Sequence, residues 1–445
     1  MNRAIRMAAW VALSCLILGP AAQAQTASDF ACKELEVSTT LPALEGKDGV
    51  FFRTFADIRM QDPMDDRIIA LMGKLSQVLA ENGTTLIYVS VPTKAQAMSS
   101  FLPERAADYG FDPAIADAVY SDITNRLTAA GIIAPDIMTA LKNTPADERA
   151  FLGADFHWTS SGARVAAIEI ARAIRAHPAY ADLPKTQFST TEIGSQVAFS
   201  GMRRSLQTFC VDALPPTETM AYKTEAVAVS DGAGAGLDIF ASAQESLPAV
   251  LVGTSFSDSP INNFVGFLTQ YAEIEIVNYA ITGGNQYGAI TSYMTSDDFK
   301  AQRPRFLIWE NPIYTNLAQF GTAPMEELIA AAGNTCTVLL QTTRVDDHTV
   351  TASLAGLKIG PHDALFAAYG AEGSRRAEFS IETADGIVRT AKVERSARLR
   401  GTGNFFVGMG AYHHPAYANL NVRFDLPVTD KTSLTFCPTR RGDAP

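Results

Sequence analysis

The 445-residue sequence predicts an α/β domain built on a parallel sheet and followed by a small β-sandwich. Three observations carry this. Short apolar runs at 85–91, 248–252 and 306–309 lack polar alternation, as strands covered on both faces do, and amphipathic helical stretches lie between such runs. From 338 onward the pattern changes to short alternating runs without an obvious helix. Of the five cysteines, the four beyond residue 24, Cys32, Cys210, Cys336 and Cys437, fall as one pair in the first part and one pair bracketing the last hundred residues.

In chain order, residues 1–24 read as a secretory signal peptide. They have a basic start at Arg3 and Arg6, an apolar core at 7–18 and an Ala22-Gln23-Ala24 cleavage site. No later segment approaches the ~18 uninterrupted apolar residues that span a bilayer. Export to an oxidising compartment favours disulfides. Four cysteines allow three connectivities, and their positions suggest Cys32 with Cys210 and Cys336 with Cys437. None has CxxC spacing, which argues against zinc, and nothing calls for a cofactor.

A helix is expected at 64–81, ended by Asn82-Gly83, then a strand at 85–91 stopped by Pro92. A second helix at 113–130 ends at Gly131, with a strand at 132–134. A third is capped by Ser160 or Ser161, carries Val165, Ile168, Ala171 and Ile174, and closes at Pro178. The 179–247 section is less regular, and its 232–236 glycines read as a loop. Strand 248–252 leads into a helix with Ser259 as N-cap, Pro260 first, and Ile261, Phe264, Val265 and Leu268 on one face. A strand at 274–279, a Gly283-Gly284 turn and a strand at 306–309 complete the domain, placed at 25–335. The sandwich, 336–445, has strands at 338–340, 377–381, 387–393, 405–407, 420–424 and 434–436.

The formal charge is −11. Residues 337–445 carry 13 Lys and Arg against 11 Asp and Glu, so this tail is about +2 and the rest about −13. Net acidity argues against nucleic acid, and the basic tail invites an anionic ligand.

Candidate chemistry begins at Ser255, just past the carboxyl end of strand 248–252, where open α/β sheets bind ligands. A serine nucleophile needs a base and an orienting carboxylate. Asp155 and His157, two residues apart, point to one side of an extended segment and supply both.

Asp155-Phe156-His157-Trp158-Thr159 with Gly162, then Gly253-Thr254-Ser255-Phe256-Ser257, then Trp309-Glu310-Asn311-Pro312-Ile313-Tyr314 resemble, in this order after a signal peptide, the alginate O-acetyltransferase family of periplasmic SGNH-hydrolase-like enzymes. The resemblance covers nearly the whole mature chain. It implies a permuted SGNH-hydrolase-like domain followed by a carbohydrate-binding β-module, with Ser255 as nucleophile, His157 as base and Asp155 as its partner. Gly253-Thr254-Ser255 departs from the common Gly-Asp-Ser form. Tyr314 matches an active-site tyrosine of the family. Asn262 or Asn263 and the Gly283-Gly284 turn are candidate oxyanion donors.

The implied reaction moves an acetyl group through Ser255 onto hydroxyls of an acidic exopolysaccharide, with alginate the first expectation. The implied partners are a donor-supplying membrane acyltransferase and a periplasmic export complex. In the tail, Arg389, Lys392, Arg395, Arg398 and Arg400 would pair with uronate carboxylates, and Tyr412, His413 and Tyr417 would stack on sugar rings. Two other readings stay open: an acetylesterase using the same residues, and a non-catalytic polysaccharide-binding scaffold.

Overall fold

The computed structural model describes residues 28–62, 64–145, 147–227, 247–333 and 335–439. The expected signal peptide and the 232–236 loop lie outside them.

The centre is a four-stranded parallel sheet, ordered Thr85–Val91, Phe306–Pro312, Ala249–Val252, Ile276–Asn278. Alternate residues of these strands feed two separate cores. Ile87, Val89, Leu251 and Ile308 pack on one side with Ala166, Ile170, Phe267 and Leu268. Leu86, Tyr88, Val250, Leu307 and Trp309 pack on the other with Met72, Leu75, Leu79, Ile290 and Leu328. Both faces are covered, which is why the strands read as continuous apolar runs.

The covering helices start where capping chemistry allows. Asp65 accepts from the Ile68 amide to open Asp66–Glu81, Asp112 caps Pro113–Ala129, and Thr159 caps Ser160–Ala176. The third cap is thus Thr159, one residue before the expected serine.

Several expectations are corrected. Residues 132–134 form no strand, and only Ile133 bridges to Ile87. The section from 179 contains a long antiparallel pair, Phe188–Val197 with Glu218–Ala226, and a helix at Gly201–Gln207. The last parallel strand runs to Pro312, beyond Trp309, because Glu310 and Asn311 continue it. Helices Asn285–Met294, Asp297–Ala301 and Ala323–Ala332 were not anticipated.

The C-terminal β-rich part has two antiparallel sheets. One is ordered Thr342–Arg344, Thr349–Ser353, Tyr417–Phe424, Arg376–Thr383, Val388–Glu394. The other is ordered Asn404–Gly408, Ala364–Ala368, Ser433–Cys437, Val338–Leu339. They close on Leu365, Phe379, Phe405, Leu420, Val422 and Leu434, which makes a sandwich. The strands at Thr342–Arg344, Thr349–Ser353 and Ala364–Ala368 are additional to those expected. Disulfides join Cys32 to Cys210 and Cys336 to Cys437, the connectivity expected.

The sandwich is docked on the α/β part by a buried junction. Arg395 pairs with Glu327 of the Ala323–Ala332 helix at 2.5 Å, with side-chain exposures of 7% and 6%. Glu327 also accepts from the Phe406 amide, and Asn404 donates to the Thr295 carbonyl. Leu399 lies against Gly288, where a Cβ would come within 2.6 Å of its side chain.

Candidate active site

The Ala249–Val252 strand ends at Gly253, and Thr254 caps a single helical turn, Ser255–Asp258, by accepting from the Phe256 amide. Ser255 is therefore the first residue of a turn at the strand end. The longer helix expected from Pro260 is split. Pro260–Asn262 is a 3₁₀ turn, Asn263 is left-handed at φ 51°, and the helix proper is Phe264–Ala272.

Asp155 and His157 meet Ser255 through a turn, not through an extended segment. Asp155 Oδ1 accepts both the His157 amide at 2.9 Å and His157 Nδ1 at 2.6 Å, which folds the two residues onto each other. His157 Nε2 then lies 2.7 Å from Ser255 Oγ. Trp158 pins this turn to the serine's, because its indole N–H donates to the Phe256 carbonyl at 3.0 Å and its ring meets Phe256 edge-on at 5.2 Å. Gly162 belongs to the same arrangement, since a Cβ there would collide with the Ala150 carbonyl.

Four residues that the sequence reading left without a role surround these three. Ser200 Oγ donates to Asp155 Oδ2 at 2.5 Å. Burial alone would push the Asp155 carboxyl up, but the hydrogen bonds and charge of His157, and the Ser200 bond, bring it down to about 2. Lys94, fully buried, donates to the carbonyls of Phe51 at 2.9 Å, Gly153 at 2.5 Å and Asp155 at 2.9 Å, tying the Asp155 turn to the strand at Phe51–Arg53. Burial pulls its ammonium down to about 7, against the charges of Asp57 and Asp155.

Arg53 is gripped by Asp57 through two bonds of 3.0 and 2.8 Å and lies 4.3 Å from the Phe156 ring centroid and 5.2 Å from that of Tyr314. Burial pushes the Tyr314 phenol up, against the pull of Arg53, so it stays a hydrogen-bond donor. Glu310, with no exposed surface, accepts from the Thr254 amide at 2.8 Å, from the Thr254 hydroxyl at 3.0 Å and from the Ser257 hydroxyl at 2.8 Å.

The expected oxyanion donors are mostly engaged elsewhere. Asn262 is buried, donates to the Phe256 carbonyl and accepts from the Phe264 amide. Asn263 donates to Thr224, and the Gly284 amide closes its own turn on Ile281. Gly283 is left-handed at φ 72° and lies under Arg398.

The tail residues are corrected more heavily. Arg395 is inside the junction with Glu327, Arg400 is held by Asp298 and Glu372, and Lys392 pairs with Glu394. Tyr417 is buried in the sandwich, its hydroxyl donating to the Tyr412 carbonyl, and Tyr412 packs on the same core. His413 is exposed. Of the five cations, Arg389 and Arg398 have no carboxylate partner among the described residues. Arg398 reaches the Thr282 carbonyl, and the Thr282 amide donates to Asp258, the last residue of the serine's turn. A groove of about 1240 Å³ lined by Lys33, Glu36 and Arg105 shares none of these residues.

A strand-end serine in contact with an imidazole, on a parallel sheet covered on both faces, places the chain among the SGNH-hydrolase-like α/β proteins. More narrowly, it belongs to the family described as SGNH hydrolase-like domain, acetyltransferase AlgX, which matches residues 43–313. It is 29% identical over 276 residues to the alginate biosynthesis protein AlgX of Pseudomonas aeruginosa, covering 62% of this chain and 56% of that protein. It is 31% identical over 248 residues to the probable alginate O-acetylase AlgJ of Pseudomonas putida, covering 55% and 62%. The matches thus span little more than half the length of these curated relatives. The solved structure of Pseudomonas aeruginosa AlgX shares the fold at a TM-score of 0.75, with 22% identity over 92% of this chain and 98% of that one.

Proposed function

We propose that this protein is a polysaccharide O-acetyltransferase working through a serine acetyl-enzyme, with an acidic exopolysaccharide, alginate first, as acceptor. The observation that carries the reading is the hydrogen-bonded chain Asp155, His157, Ser255, at 2.6 and 2.7 Å. Ser255 Oγ attacks the acetyl carbonyl while its proton passes to His157 Nε2, and His157 returns that proton to the departing group of the donor. A sugar hydroxyl then attacks the acetyl-serine, its proton goes to His157, and the ester leaves as Ser255 regains its hydroxyl. Asp155 holds Nδ1–H and balances the imidazolium.

The Ser255 amide, first in its turn, has no intrahelical acceptor and is our candidate oxyanion donor, with the Tyr314 phenol as a second. The names of the alginate relatives support an alginate-like acceptor. We further propose that residues 25–335 act as the acetyl-transferring unit and 336–445 as the polymer-binding unit. Arg398, Arg389 and His413 remain as its binding candidates, and Arg398 leads toward the serine's turn. Cleavage of 1–24, a periplasmic location, a membrane-bound donor acyltransferase and an export complex complete the proposal. The two disulfides are consistent with that compartment, and no helix among the described residues is long and apolar enough to cross a membrane.

The test is a donor assay with an activated acetyl ester, with and without oligouronate, read by mass spectrometry of the sugar. Acetylated oligosaccharide formed at the expense of free acetate is expected. Free acetate unchanged by any acidic oligosaccharide would make the protein an esterase.

A further inference from the structure

Glu310 is a carboxylate in the middle of a buried parallel strand, with no exposed surface and no basic side chain bonded to it among the described residues. An acid there is costly unless hydrogen bonds hold it. Its bonds all go to Thr254, just before Ser255, and to Ser257, two positions after it. Oε2 accepts from the Thr254 amide and the Ser257 hydroxyl, both at 2.8 Å, and Oε1 accepts from the Thr254 hydroxyl at 3.0 Å. Gly253 gives it room, since a Cβ there would lie 2.5 Å from Oε2.

We propose that Glu310 is a positioning residue for the nucleophile: its carboxylate clamps Thr254 and Ser257 on either side of Ser255 and stands behind the serine and histidine as a second anion. The inference rests on the acetyl-enzyme reading and adds a residue to it. Asp155 fixes the imidazole from one side, and Glu310 fixes the serine's turn from the other. Burial pushes the Glu310 carboxyl up, while the Thr254 and Ser257 bonds and the charge of His157 pull it back.

The other charged and titratable groups around this pair are Asp155, Lys94, Arg53, Asp57 and Tyr314, with Tyr88 on the adjacent strand. Asp155 stays charged, and burial keeps both tyrosines protonated, throughout the neutral range. Lys94 titrates near 7, but it is present in every protein compared and cancels.

The experiment follows acylation of Ser255 by an activated acetyl ester from pH 5 to 9 in the full chain and in Glu310→Gln, Glu310→Asp and Ser257→Ala. Glu310→Gln should slow acylation about 10- to 100-fold and move the acid limb of the profile down by about 0.5–1.5 pH units, because the anion that favours the imidazolium is gone. Glu310→Asp should be slower than the parent but keep its midpoint, since the charge remains. Ser257→Ala, which removes one donor, should slow acylation about 3- to 10-fold. If Glu310→Gln does not fold, the Asp and Ala variants decide. Parent rate and midpoint in Glu310→Gln overturn the inference alone. So does a slow Glu310→Gln with an unmoved midpoint together with an equally slow Glu310→Asp, which marks a purely structural carboxyl. Absence of any acetyl adduct in the parent protein overturns the acetyl-enzyme reading itself, and this inference with it.

Discussion

Replacing Ser200 with alanine removes two bonds at once. Its hydroxyl donates to Asp155 Oδ2 at 2.5 Å and accepts from the Arg203 amide at 2.9 Å, capping the Gly201–Gln207 helix, in a site 6% exposed. A hydrogen bond to a buried carboxylate contributes about 1.5–3 kcal/mol and an N-cap about 1 kcal/mol, so Ser200→Ala should destabilise the fold by about 2.5–4 kcal/mol. Glycine serves as an N-cap to within a few tenths of a kcal/mol of serine, so Ser200→Gly should lose chiefly the Asp155 bond.

The catalytic effect should be smaller than loss of the triad. Asp155 keeps both bonds from His157 through Oδ1, so esterase turnover should fall about 10-fold in both variants, the equivalent of about 1.4 kcal/mol. Urea denaturation followed by the fluorescence of the buried Trp158 and Trp309, with initial rates on an activated ester, measures both quantities. An alanine variant within about 0.5 kcal/mol of the parent, with undiminished turnover, would refute the claim that Ser200 holds Asp155.

Four further outcomes are expected. Arg395→Ala should destabilise by about 3–5 kcal/mol, because Glu327 is left as an unpaired buried charge, whereas Arg398→Glu should leave the melting temperature nearly unchanged and weaken oligouronate binding in a salt-dependent way. Calorimetry and a binding titration in low and high salt separate the two. Asp155, held at about 2 against 3.8 unfolded, stabilises the fold by about 2 kcal/mol above pH 4, and that contribution should vanish as pH falls through about 2; Asp155→Asn should lack this dependence in acid denaturation. Lys94, pulled from 10.5 to about 7, binds its proton more weakly folded than unfolded, so stability should rise from pH 7 to 10.5 in the parent, and in Lys94→Met that rise should be absent.

What could be read in the sequence followed from local physics. The Thr85–Val91 and Ala249–Val252 strands announced themselves because both faces are apolar, and Ser255 followed from the place where one of them stops. The Asn285–Met294 helix gave no such signal, because every residue from Gln286 to Met294 is buried and no stripe separates from a polar face; it also starts at Gly284 without a side-chain cap. The Phe188–Val197 strand is mostly exposed and rich in Ser and Thr, so its alternation is weak.

At the site, Asp155, His157 and Ser255 carried a chemical requirement that a motif could match. Ser200 reads as an ordinary helix cap, and its contact with Asp155 spans 45 positions. Glu310 left one usable sign, an acid within an apolar run, which marks a buried charge needing partners. In the tail, the crowding of arginines was visible but their partners were not: Glu327 and Asp298 are supplied by the other part of the chain.

The central claim is that Ser255 becomes covalently acetylated. The most direct measurement is intact-mass and peptide mass spectrometry of the protein quenched in acid after brief exposure to an activated acetyl ester. The account predicts one added acetyl group on the peptide containing Ser255, absent from Ser255→Ala and strongly reduced in His157→Ala, with turnover lowered by on the order of 10⁴ in both variants. An adduct on any other residue, or undiminished turnover in Ser255→Ala, would contradict it.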